Sequence, residues 1–131
     1  MKKLIFLLPV FLFLSTAKGQ IAKVSDDVAN GTAIIYKAAG NTLVQTGEIK
    51  HAPMIESIYG HTSKYVVLIG VVFGDAHIKT YDIYGSNLAE IEISQDLAKN
   101  YSISLTDSAI VFTGKQGQKV RYSYTTGKLL K

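Results

Sequence analysis

Three histidines, His51, His61 and His77, are the side chains of this 131-residue sequence best suited to acid–base or metal chemistry. Three imidazoles leaving a fourth position open would suit zinc, and Asp75, two residues from His77, would share a strand face with it. The intervals of ten and sixteen residues between the histidines match no local ligand pattern, so neither a metal nor a cofactor is expected. Nucleophilic chemistry lacks its parts. There is no cysteine and no Gly-x-Ser-x-Gly elbow, and the serine nearest a histidine is Ser63, two residues from His61 in a turn-forming stretch. Glu90 and Glu92 are spaced like a carboxylate pair, but they alternate with Ile91 and Ile93, which turns them toward water. Gly114-Lys115-Gln116-Gly117 has the glycines of a phosphate loop without a helix after it and reads as a hairpin turn. No catalytic residue is assigned, and a hydrolase with a His/Asp site is the least favoured function.

Aromatic side chains offer a different chemistry, that of contact. All eight tyrosines follow residue 20, and Tyr81, Tyr84, Tyr122 and Tyr124 fall in two corresponding strands. Exposed tyrosines bind sugars and partner proteins well, so these four are the candidate ligand-binding residues. The competing reading makes them half-buried core residues with hydroxyls at the rim of a sheet. Charge is polarised along the chain. Residues 75–96 hold five acids against Lys79, whereas residues 97–131 hold six bases against Asp107. Unlike regions could therefore meet within one sheet or across protomers.

The amino terminus decides where such a chain works. MKKLIFLLPVFLFLSTAKGQ opens with Lys2 and Lys3, continues with an apolar core over residues 4–14 and ends in small residues, the pattern of a signal peptide. At about 1.5 Å per residue that core spans about half of a hydrocarbon layer roughly 30 Å thick, so no stable membrane anchor is expected. Ala17 and Gly19 occupy the positions that a signal peptidase reads, which places cleavage before Gln20 and makes 1–19 the signal. The remaining 112 residues, 20–131, suffice for a single all-β domain working in the periplasm or outside the cell. Loss of Lys2, Lys3 and Lys18 leaves eleven bases against ten acids, so the basic balance of the whole chain belongs to the signal. Net +1 excludes a nucleic-acid partner held by phosphate contacts. With no cysteine, stability must come from strand pairing and apolar burial.

Strand signals fill the rest. Residues 65–73 (YVVLIGVVF) are apolar at every position but Gly70, which suits a strand covered on both faces. Strands are also expected over 78–84 and 88–93, giving a central unit of three. Before it, 32–38 and 42–49 form a hairpin around Gly40-Asn41, residues 21–29 suit a turn or short helical turn, and 51–57 with Pro53 form an edge or connection. After it, Ser94 caps one helical turn at 96–99, and four short strands follow at 101–105, 109–113, 118–124 and 128–131. No stretch has helical periodicity long enough for a core helix. The fold class is all-β, an antiparallel meander arranged as a sandwich, barrel or propeller-like set of sheets, behind an N-terminal signal helix.

A repeat runs through these strands. AIIYKAAGNTL, IKTYDIYGSNL and VRYSYTTGKLL each place a Tyr-containing run before a glycine turn and a leucine after it, with Gly40, Gly85 and Gly127 spaced 45 and 42 apart. Around the second copy, Gly60-His61 and Tyr81-Asp82 resemble the Gly-His and Trp-Asp signature of Trp-Asp-repeat β-propellers, with Tyr in place of Trp and a shorter interval. YDIYGSNLAEI is similar also to a hairpin of the immunoglobulin-like sorting tails on some exported bacterial proteins. The propeller resemblance implies blade-like sheets, but four blades of about 40 residues would need roughly 160, more than the chain provides. Protomers would have to combine into a ring, or the repeat is ordinary hairpin grammar, which is the preferred reading.

The expected function is an exported binding or interaction module for a protein or carbohydrate. The alternative is a structural subunit of a propeller-like homo-oligomer, a state left open and not favoured. Exported material should begin at Gln20, which intact-mass spectrometry would verify, and a retained Met1 would overturn export.

Overall fold

The computed structural model describes residues 20–130, and there the chain is three consecutive antiparallel meanders. The first sheet is β1 (Ile21–Asp27), β2 (Thr32–Ala39) and β3 (Thr42–Lys50). The second is β4 (Glu56–His61), β5 (Val66–Val72), β6 (Asp75–Tyr81) and β7 (Asn87–Ile93). After α1 (Gln95–Asn100), capped by the Ser94 hydroxyl, the third is β8 (Tyr101–Leu105), β9 (Ile110–Gly114), β10 (Lys119–Tyr122) and β11 (Leu129–Leu130). Each sheet keeps its strands in chain order. The all-β expectation is met, and α1 buries none of its residues. The signal segment and signal helix expected over 1–19 lie outside the described residues. Among the described residues no helix is long and apolar enough to cross a membrane.

The strand β5 is apolar on both parities because both of its faces are covered. Val66 and Leu68 join a cluster with Ala33, Ile35 and Ile49 of the first sheet, while Val67 joins Ile78, Ile91, Ile110 and Phe112, which reach the third. The middle sheet thus has a neighbour on each side. The repeat glycines Gly40, Gly85 and Gly127 all lie at positive φ in the last hairpin of their respective sheets, a backbone region that L side chains avoid.

Several strand boundaries differ from the sequence expectation, for tertiary reasons. Residues 21–27 are a strand, because the Asp26 carboxylate finds partners 25 and 32 residues away instead of capping a local turn. The central unit has four strands, since Pro53 stays in the connecting loop and β4 starts at Glu56. The apolar run does not stay buried to its end. Val71, Val72 and Phe73 are exposed, the turn is only Phe73-Gly74, and β6 accordingly starts at Asp75 instead of Ile78.

Tyr124 locks the third sheet to the second. Its ring stacks on Tyr65 at 4.6 Å, its backbone carbonyl accepts the Thr80 hydroxyl at 2.6 Å, and its own hydroxyl donates to the carbonyls of Thr106 and Ala109 at 2.6 and 3.0 Å. Burial, reinforced by the Asp107 carboxylate, pushes its phenol up to about 12. At the far side of the third sheet the alternation is polar: Ser102, Ser104, Lys119 and Arg121 are all exposed there.

Two outcomes follow from this packing. Val67→Asp would place an unpaired carboxylate in a fully buried position, at several kcal/mol against a total stability of about 5–15, so circular dichroism should show no folded protein. A phenol whose ionisation is raised on folding stabilises the fold below its ordinary value of 10.0 and loses that contribution as pH rises toward about 12. Denaturant titrations should therefore show stability falling above pH 10, and Tyr124→Phe should flatten that fall while losing about 1–2 kcal/mol at neutral pH.

Candidate functional site

One end of the middle sheet collects the chain's unusual side chains. The register pairs Glu56 with Gly70, Gly70 with His77 and His77 with Glu92, so these four form one row across β4, β5, β6 and β7. Gly70 makes the row possible. A Cβ there would lie 2.7 Å from His77 Cε1 and 2.8 Å from Glu56 Cγ, so its missing side chain is the space in which the two meet.

Glu56 is the buried acid of this row. Its Oε1 accepts the Ala52 backbone N–H at 2.8 Å, and its Oε2 faces His77 Nε2 at 2.6 Å and Lys79 Nζ at 3.1 Å. Burial raises its carboxyl, but the Ala52 N–H, His77 and Lys79 together outweigh burial and bring it down to about 2. Burial by itself would lower the Lys79 ammonium, and Glu56 reverses that, holding it above its ordinary value.

A second carboxylate secures the adjoining loop. Asp26 Oδ1 lies 2.8 Å from His51 Nε2, and its Oδ2 accepts the Ile58 N–H at 2.8 Å. The other ring nitrogen of the buried His51 faces the Ala52 carbonyl at 3.3 Å. Both nitrogens are thus committed to oxygen acceptors, which leaves neither to activate a nucleophile. His61 Nδ1 faces the Thr62 carbonyl at 2.9 Å. The three histidines belong to three separate contacts, and among the described residues no group of His, Asp and Glu could hold a metal ion. Asp75 shares the cleft of His77, while Glu56 is the acid that His77 bonds.

Just past this row stands the β5–β6 turn. Phe73 (φ 52) and Gly74 (φ 84) are both left-handed, the geometry of a two-residue type I′ turn, where Asn-Gly is the unstrained choice. Phenylalanine at such a position is strained, and this ring is 100% exposed, so it packs on nothing in its own chain. Met54, in the loop before β4, is the other non-glycine residue at positive φ among the described residues and is 75% exposed. Ile55, Val71 and Val72 add further exposed apolar surface at this end. Beside the turn lies a cleft of about 380 Å³ whose wall runs from Val72 and Phe73 to the carboxylates of Asp75, Glu90 and Glu92.

The four candidate tyrosines are not brought together as one surface. Tyr81 and Tyr124 are buried in separate clusters, Tyr122 is half-buried with its ring edge-on to Phe112 at 5.7 Å, and Tyr84 is exposed in the β6–β7 turn. Sequence reasoning passed over Phe73 and Glu56. The signal for Phe73 was present, an aromatic residue directly before the glycine of a turn. No known protein family, no curated protein and no solved structure matches the chain.

A carboxyl lowered on folding stabilises the fold above its ordinary value of 4.5 and loses that contribution as pH falls toward about 2. Stability should therefore decline through that window. Glu56→Gln should flatten the decline and cost about 1–3 kcal/mol at pH 7, because Lys79 and His77 lose their acceptor charge while keeping partial access to water. Urea unfolding at pH 7, 4 and 3 would measure both effects.

Proposed function

We propose that the chain is an exported binding module that engages a partner protein through the Phe73 turn and the acidic cleft beside it. The observation that carries this reading is the placement of Phe73. A strained backbone conformation is kept for a side chain that contributes no packing to the fold, and strain of that kind is retained where the residue serves something outside it. A large aromatic flanked by apolar neighbours and a polar rim is the usual anchor of a protein interface. Glu56 and Asp26 hold the strands and loop beneath it by bonds to part-buried partners, so the anchor is presented from a firm base.

A carbohydrate platform has less support, because three of the four candidate tyrosines are buried or half-buried. Closure into a propeller-like ring also loses ground. A further blade would need an apolar face to stack on, and the outer face of the third sheet carries Ser102, Ser104, Lys119 and Arg121.

Phe73→Asn separates folding from binding. Asparagine tolerates the left-handed region, so the variant should unfold at the same denaturant concentration as the wild type or gain about 0.5–1 kcal/mol. Affinity capture from the exported fraction of the producing cell should lose the proteins that the wild type retains. Equal capture by both, or a clear loss of stability in the variant, would overturn the reading.

A further inference from the structure

The partner's chemistry is written in charges that the fold leaves unused. Asp75, Glu90 and Glu92 rim the cleft at the end of the second sheet. Lys115, Lys119, Arg121 and Lys128 are exposed on the third. Among the described residues the ion pairs join Lys50 to Glu48, His51 to Asp26, and His77 and Lys79 to Glu56, and no pair joins the cleft acids to the bases of the third sheet. Two complementary sets thus sit on one chain without pairing with each other, although the Gly127 turn beside Lys128 lies against Ala89 and the backbone of Glu90.

Apolar surface is distributed in the same way. The acids flank Val72 and Phe73. The bases flank β11, the outer edge strand of the third sheet, where Leu129 is 59% and Leu130 40% exposed. Leu130 pairs in register with Arg121, so cation and apolar side chain stand next to each other on that edge. Each surface has what the other lacks in charge and matches it in hydrophobicity.

Resting on the binding role of the Phe73 turn, we infer that the occupant of the cleft is a second copy of this chain. The β10–β11 edge of one copy docks at the acidic cleft and Phe73 turn of the next, with Leu129 and Leu130 against the apolar wall and Lys119, Arg121 and Lys128 toward Glu90, Glu92 and Asp75. The contact is head to tail, so every open assembly retains one free surface of each kind and grows until a ring closes or the protein runs out. Charge supplies register and steering over a screening distance of about 8 Å at physiological salt, and the aromatic anchor supplies holding strength.

Charge reversal tests this with the secreted protein itself. Sedimentation analysis of the wild type should show mass rising with concentration, and Phe73→Asn should weaken that association by about tenfold or more. The double variant Glu90→Lys, Glu92→Lys and the double variant Lys119→Glu, Arg121→Glu should each remain monomeric when alone. Mixed in equal amounts, they should associate, because the native edge of the first fits the native cleft of the second and the two reversed surfaces are again opposite in charge. A wild type that stays monomeric at millimolar concentration and low salt overturns the inference, as does a mixture that stays monomeric. Loss of captured proteins in Phe73→Asn alongside a monomeric wild type would leave the binding role standing with a different occupant.

Discussion

Double-sided burial of β5 is the constraint from which the rest of the architecture follows. A strand whose two faces both carry fully buried side chains, Val66 and Leu68 on one and Val67 on the other, must have a sheet on each side. Each such side chain contributes about 1.5–3 kcal/mol when removed from water, and with no disulfide available this burial carries a large share of the stability. Around β5 the middle sheet therefore has no face left for function. Whatever it offers to another molecule must be offered at its ends, and that is where its charged row and its exposed turn lie.

The row itself is a device for ending a buried sheet in water. Glu56 is nearly enclosed, yet its two oxygens receive a backbone N–H, an imidazole and an ammonium, so its charge is spread over groups that were themselves in need of an acceptor. Asp26 does the same for the loop between the first and second sheets, bonding His51 of that loop and the backbone of β4. Gly31 adds a close approach there, since a Cβ on it would meet the His51 carbonyl. Together these contacts fix the loop that carries Met54 against the strands that carry Phe73.

The all-β class, the hairpin at Gly40, the two-sided character of β5 and the helix capped by Ser94 were legible because each is written in neighbouring residues. Strands β1 and β4 were not, because their polar residues look like turn formers until partners more than twenty residues away are known. Phe73 was misplaced for a related reason: hydrophobicity continued the apolar run through it, whereas the backbone had already turned. The tyrosines show the limit of parity arguments. Tyr81 is buried and Tyr84 exposed three residues on, because β6 ends at Tyr81 and Tyr84 stands in the turn that the Gly85 N–H closes on the Asp82 carbonyl.

The order of the sheets along the chain also shapes how the molecule comes into being. Strands pair only with neighbours in sequence, so each meander can form from a short, continuous stretch of polypeptide as it appears. The middle meander differs from its flanking partners in having a strand, β5, that both neighbours must cover. During synthesis it would have the first sheet to lean on but would wait, with Val67 and Ile78 uncovered, until the third had emerged and Tyr124 had closed over Tyr65. That interval, set by the length of chain between Ile78 and Tyr124, is when the protein is most exposed to mispairing with other chains.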